Sequence, residues 1–103
     1  MEIIWSEFAE KQLDDIFEYH EENATTRVAK KMVRNLINEP ERLRKDPSIG
    51  QKEELLSERK IPYRYLIFKH YKIIYSVDEE YGIVKIADVF NTFQNPTRIE
   101  RID

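Results

Sequence analysis

The 103-residue chain has no cysteine, two glycines and two histidines, and each shortage closes off a class of chemistry. Without cysteine there is no disulfide, no thiol nucleophile and no thiolate-ligated metal. Two glycines are too few for a glycine-rich phosphate loop, which argues against nucleoside-triphosphate and dinucleotide cofactors. His20 and His70 lie far apart in the chain, so no histidine-rich zinc centre is expected either. No apolar run approaches the roughly 20 residues that span a bilayer, and Met1-Glu2 lacks the basic flank and apolar stretch of a secretory signal. The expectation is a cytoplasmic protein with no membrane partner, folded as one domain over residues 1–103 around a single core.

Charge is abundant but unevenly spread. Residues 1–23 carry eight acids and one base, residues 24–45 seven bases and two acids, and residues 59–103 eight bases and six acids. The net charge of −3 therefore hides an acidic segment beside a basic one, with a mildly basic C-terminal part that tolerates a phosphate ligand without requiring it.

The pattern of apolar residues sets the elements. Ile3, Ile4 and Trp5 form a short strand that runs into Ser6, a helix N-cap. Phe8, Ala9, Leu13, Ile16 and Phe17 then recur at helical spacing to about Asn23. Thr25 or Thr26 caps a second helix striped by Val28, Ala29, Met32, Val33, Leu36 and Ile37. The short link predicts a helical hairpin, with attraction between the acidic and basic helices helping to set the pairing. Pro40 predicts a kink or restart near Glu39, since proline lacks the donor that the helix needs. Pro47 and Gly50 mark a loop holding at most one helical turn. From residue 61 the pattern becomes β: Tyr63–Phe68, Tyr71–Val77 and Ile83–Phe90 are rich in aromatic and β-branched residues and read as an antiparallel meander. The fold class is α+β, in the order β-α-α-β-β-β, with a helical hairpin on a small antiparallel sheet.

Basic residues in or beside the strands are the candidate chemistry: Arg59, Lys60, Arg64, Lys69, Lys72 and Lys85. If Arg64 and Lys72 project to one side of the sheet they form a cationic patch framed by tyrosines such as Tyr71, suited to RNA phosphates and unpaired bases. Solvent-facing or edge-guarding lysines give the same pattern. His70 reads as a solvated turn residue, His20 as a packing or dipole-favoured residue near a helix end, and the acidic clusters as solvated faces without metal-ligand spacing.

Three stretches carry a family resemblance: Trp5-Ser6 opening the first helix, YRYLIFKHYKIIYSVDEE at 63–80, and IVKIADVFNTFQNP at 83–96. Together they make the chain similar to the RelE/ParE toxins of bacterial type II toxin–antitoxin systems. RelE-like members cut mRNA in the ribosomal A site; ParE-like members poison DNA gyrase; both are neutralised by an antitoxin encoded next door.

The resemblance implies a metal-free, cofactor-free site. In a RelE-like reaction a ribose 2′-OH attacks the adjacent phosphate, which calls for a base, phosphate-binding cations and an acid for the leaving oxygen. Matched to the family, Arg64 and Lys72 would hold phosphate and Lys69 or Lys60 would serve as base. Arg59, Tyr71, Phe93 and Arg98 would contact RNA or another target. Phe93 stands where many relatives have arginine, and no tyrosine follows Tyr81, where relatives carry a C-terminal tyrosine acid. Losing such a cation costs ~10²–10³ in rate and losing the acid ~10²–10⁴. The expectation is a RelE-like ribosome-dependent mRNA endonuclease of attenuated activity. The alternatives are a ParE-like gyrase inhibitor and a degenerate, non-toxic antitoxin-binding protein. Arg98 or Arg101 substitutes for the missing arginine only if the tail folds back.

Overall fold

The computed structural model describes residues 1–93 together with 101–102. Strand β1 (Glu2–Trp5) leads into helix α1 (Glu7–Asn23) and helix α2 (Thr26–Asn38), followed by a 3₁₀ segment at Glu39–Arg44. Strand β2 (Gln51–Lys52) and a 3₁₀ turn at Glu54–Leu56 precede the meander β3 (Tyr63–Phe68), β4 (Tyr71–Asp78) and β5 (Ile83–Asn91).

The local signals act as their chemistry demands. Ser6 Oγ accepts the Ala9 N–H and Thr25 Oγ1 accepts the Val28 N–H, so each helix starts on a side-chain cap. Pro40 sits where α-helical hydrogen bonding gives way to the 3₁₀ segment, which is the predicted restart.

The sheet has the order β1-β5-β4-β3-β2. The meander is antiparallel as expected, but β1 adds a parallel pairing along β5, from Glu2 opposite Ile83 to Trp5 opposite Ile86, so the sheet is mixed. The two helices between β1 and the meander carry the chain across, as a parallel neighbour requires. The loop after the helices also contributes a fifth strand, the two-residue β2, too short to show as an alternating pattern.

Side-chain alternation places Tyr71, Ile73 and Tyr75 of β4 on the helix side, packed with Ala9, Leu13 and Ile16 of α1 and Met32 and Leu36 of α2. The opposite side is covered as well. Ile74 and Phe90 pack there with Leu56, Tyr63 and Ile102, so the chain end returns to the sheet. Phe8, Val28 and Ile37, expected in the helical stripes, are partly exposed and lie outside the buried core. Among the described residues no ion pair links α1 to α2. The expected charge attraction is therefore replaced by apolar packing, and the opposite charges face solvent. Among the described residues no helix is long and apolar enough to cross a membrane.

Tyr75 ties the loop to the core. Fully buried, its hydroxyl donates to the Pro47 carbonyl at 2.7 Å and accepts the Gly50 N–H at 3.0 Å. A Cβ at Gly50 would overlap that hydroxyl, which is why glycine stands there. Tyr75→Phe leaves both loop groups without this partner. The expected loss is about 1–3 kcal/mol, read as a lower urea midpoint at unchanged slope.

Candidate functional site

The two cations expected to hold phosphate lie on opposite faces of the sheet. Arg64 is in register with Tyr75 and so shares the helix side, where its guanidinium donates to the carbonyls of Gly50 at 2.7 Å and Ser48 at 3.3 Å. Lys72, in register with Ile67, projects to the other side. There Lys72 Nζ lies 2.6 Å from Glu53 Oε2 and 4.1 Å from the centre of the Tyr65 ring. Glu53 is buried and accepts the Leu55 N–H on its other carboxylate oxygen. The single patch framed by Arg64 and Lys72 is not formed, because strand alternation sends residues of opposite parity to opposite faces.

The remaining candidate cations are also dispersed. Lys60 is exposed near the start of β3 and borders a surface groove with Arg64, while Lys69 sits in the turn at the far end of that strand, about 17 Å along the chain from Arg64. Arg59 donates to the Ile102 carbonyl. Arg98 lies outside the described residues. Arg101 does return to the sheet, meeting the condition set for a substitute cation, but it is engaged by an acid. Its Nε and Nη2 meet the two carboxylate oxygens of fully buried Asp88 at 2.9 and 2.8 Å. That bidentate pair occupies the guanidinium that would otherwise be offered to a phosphate.

Three of the expected residues do come together, at the rim where β4 begins, β5 ends and α1 terminates. The two-residue turn Lys69-His70, with Lys69 at φ 54°, delivers Tyr71 opposite Asn91, and the Thr92 N–H donates to the His70 carbonyl at 2.7 Å. Asn91 Oδ1 accepts the Phe93 N–H, fixing the turn that lays Phe93 beside His70 at 5.4 Å between ring centres. Phe93 is 82 % exposed, so its ring faces solvent. Tyr71 is only 3 % exposed and supports the rim from below.

Both histidines border this rim, His20 as the packing residue expected near the end of α1 and His70 as the exposed turn residue expected between β3 and β4. His20 Nε2 shares a 2.8 Å hydrogen bond with the Tyr71 hydroxyl, and its ring stands edge-on to Tyr71 and to exposed Tyr19. The signal was present for His20, four residues after Ile16 on the buried stripe of α1. It was absent for His70, because only strand register reveals that the residues beyond β5 end beside the β3–β4 turn. Burial lowers the His20 pKa, with His70 and Lys69 adding repulsion, and burial raises that of Tyr71, with Tyr19 contributing. At neutral pH both groups are therefore uncharged. A cavity of about 310 Å³ beside them is bordered by Gln12, Asp15, Tyr19, Tyr71 and Asn91. Among the described residues no three histidine, cysteine, aspartate or glutamate side chains are grouped to hold a metal. The rim thus presents exposed aromatic rings over neutral hydrogen-bonding groups.

Comparison with known proteins fits this architecture. Residues 3–96 match the family described as the ParE toxin of the type II toxin–antitoxin system parDE. A chain from the chromosomal ParDE TA system of P. aeruginosa superposes with a TM-score of 0.73, over 88 % of this chain and 95 % of that one, at 18 % identity. No curated protein sequence matches the chain. With nearly its whole length matched and the same two helices on a mixed sheet, the chain belongs to the ParE toxin family of type II toxin–antitoxin systems.

Proposed function

We propose that this protein acts as a ParE-like toxin that inhibits DNA gyrase by binding it, and that a cognate antitoxin from an adjacent gene neutralises it. The observation that carries the choice is the dispersal of the cations. A metal-free RNA-cleaving site needs its base, acid and phosphate-binding groups within a few ångströms of one scissile phosphate. Here Arg64 and Lys72 are on opposite faces and tied to protein acceptors, Lys69 is a strand length from Arg64, and Arg101 is paired with Asp88. The family match to ParE favours the same target. The RelE-like activity on ribosomal mRNA, first expected from the sequence, is the weaker of the two readings on both counts.

In this proposal the rim is the target-contact surface. Phe93 and Tyr19, 82 % and 57 % exposed, supply the large rigid aromatic area typical of interface anchors. Lys72 is assigned a structural role, neutralising buried Glu53.

Purified protein is expected to inhibit supercoiling by gyrase while leaving mRNA intact in a translation reaction. Phe93→Ala with Tyr19→Ala should weaken inhibition by about tenfold or more; cleaved mRNA with unaffected supercoiling would reverse the assignment. Lys72→Ala should cost about 3–5 kcal/mol of stability, because it strands a buried carboxylate, and Lys72→Met with Glu53→Gln should recover most of it in urea denaturation. Because the folded His20 pKa lies below its ordinary value of 6.5, the unfolded chain binds more protons in the window below that pH. Stability should therefore fall on acidification from about pH 7.5 to 5.5. His20→Gln should flatten that slope.

A further inference from the structure

Helix α2 carries a row of cations that the fold leaves unpaired. Arg27, Lys30, Lys31 and Arg34 follow one another at i, i+3, i+4 and i+7, which places all four on one helix face. The buried residues Ala29, Met32 and Leu36 lie on the opposite face, so the row points away from the core into solvent. Among the described residues none of the four forms an ion pair, and α2 itself holds no acid.

The row also opposes the helix that carries it. Arg27 stands in the first turn, near the positive end of the helix dipole, where an acid stabilises and a cation does the reverse. Spacings of three and four bring Arg27 beside Lys30 and Lys31, and Arg34 beside the same two, so each neighbouring pair repels. Local rules broken in this way, without a structural gain, mark a functional surface.

The chemistry of the face narrows its partner. No aromatic residue lies in α2, so rings that stack on unpaired bases are missing. Protein interfaces centre on aromatic and apolar anchors and are depleted in lysine, the reverse of this row. A duplex phosphate backbone fits: the row spans about 10 Å of a rigid helix, and duplex DNA carries one negative charge per roughly 1.7 Å of its axis. The row begins at the rim end of the hairpin. α2 starts three residues after α1 ends, and Thr26 Oγ1 donates to Glu21 Oε2 at 3.1 Å, which holds Arg27 near the turn of the helix that bears Tyr19 and His20.

We propose that the solvent face of α2 binds the phosphate backbone of duplex DNA, so that the protein meets gyrase through the rim and the DNA on which gyrase acts through Arg27, Lys30, Lys31 and Arg34. The choice of DNA rests on the gyrase reading and adds a second contact to it. The acidic face of α1 orients the approach, since it repels the same phosphates.

The test follows the fluorescence anisotropy of a labelled DNA duplex of about 20 base pairs titrated with the full chain alone, across roughly 25 to 200 mM salt. The slope of log K against log salt should be about −3.6, from about 0.9 for each of four phosphates. Arg27→Gln with Lys31→Gln should reduce its magnitude by about 1.8 and weaken binding at about 50 mM salt by tenfold or more. The urea midpoint should stay level or rise, because glutamine suits a helix and the repulsion is relieved. Lys60→Gln with Lys85→Gln removes the same charge from a groove that no α2 residue lines, and should change affinity less than about threefold. The wild-type slope needs no variant, so a poorly folded substitution does not leave the proposal untested. Absent or salt-independent binding by wild type, equal losses from the two double variants, or tighter binding to a single strand or an RNA duplex of the same sequence would each overturn it. So would a wild-type dimer that the α2 substitutions convert to monomer, which would make the acidic helix of a second copy the occupant. The readout contains no gyrase. A chain that inhibits supercoiling yet ignores free DNA therefore sinks this inference alone, whereas DNA binding without inhibition sinks the target assignment alone.

Discussion

Burial of the central strand on both faces is the constraint from which the rest of the molecule follows. The helices cover one side of β4, and the 3₁₀ turn at Glu54–Leu56 and Ile102 cover the other. A charged group inside such a sandwich is costly unless it is paired, because little water remains to solvate it. The cations and acids placed there accordingly meet protein partners: Lys72 with Glu53, Arg101 with Asp88, and Arg64 with the carbonyls of Gly50 and Ser48. The same pairing engages each of these cations with a protein acceptor.

Exposed aromatic side chains gather at the sheet's end. There the strands run out beside the terminus of α1, and aromatic side chains stand clear of the core. Phe93 occupies the position at which many relatives were expected to carry arginine. A phenyl ring offers contact area without charge, which is the basis of the binding role proposed for the rim. Uncharged His20 and Tyr71 fit that role, since neutral hydrogen-bonding partners support an aromatic surface without a desolvated charge beneath it.

Much of the fold was legible because it depends on local rules. The Ser6 and Thr25 caps, the effect of Pro40 and the three meander strands follow from capping, proline sterics and period-two alternation, all of which act within a few residues. The site was less legible because it depends on distant ones. Alternation within β4 alone predicted Lys72 opposite Tyr71, but only the β3–β4 register put Arg64 level with Tyr75 and so on the other face from Lys72. His70 and Phe93, more than twenty residues apart, meet only because β4 and β5 pair. The hairpin charges misled for a related reason. Opposite composition of two helices says nothing about which faces they turn to each other, and Ala9, Leu13 and Ile16 took the inward positions.

By itself the sequence determined the α+β class, the element order, the exclusion of cysteine and glycine-loop chemistry, and the family resemblance, since composition and short-range periodicity are written into the chain. The tertiary structure alone decided which cations are engaged, that Arg101 and Ile102 return to the sheet, and that the two histidines share one rim. Those outcomes turn on register and on burial from both sides, and each is a relation between residues that the chain keeps far apart until it folds.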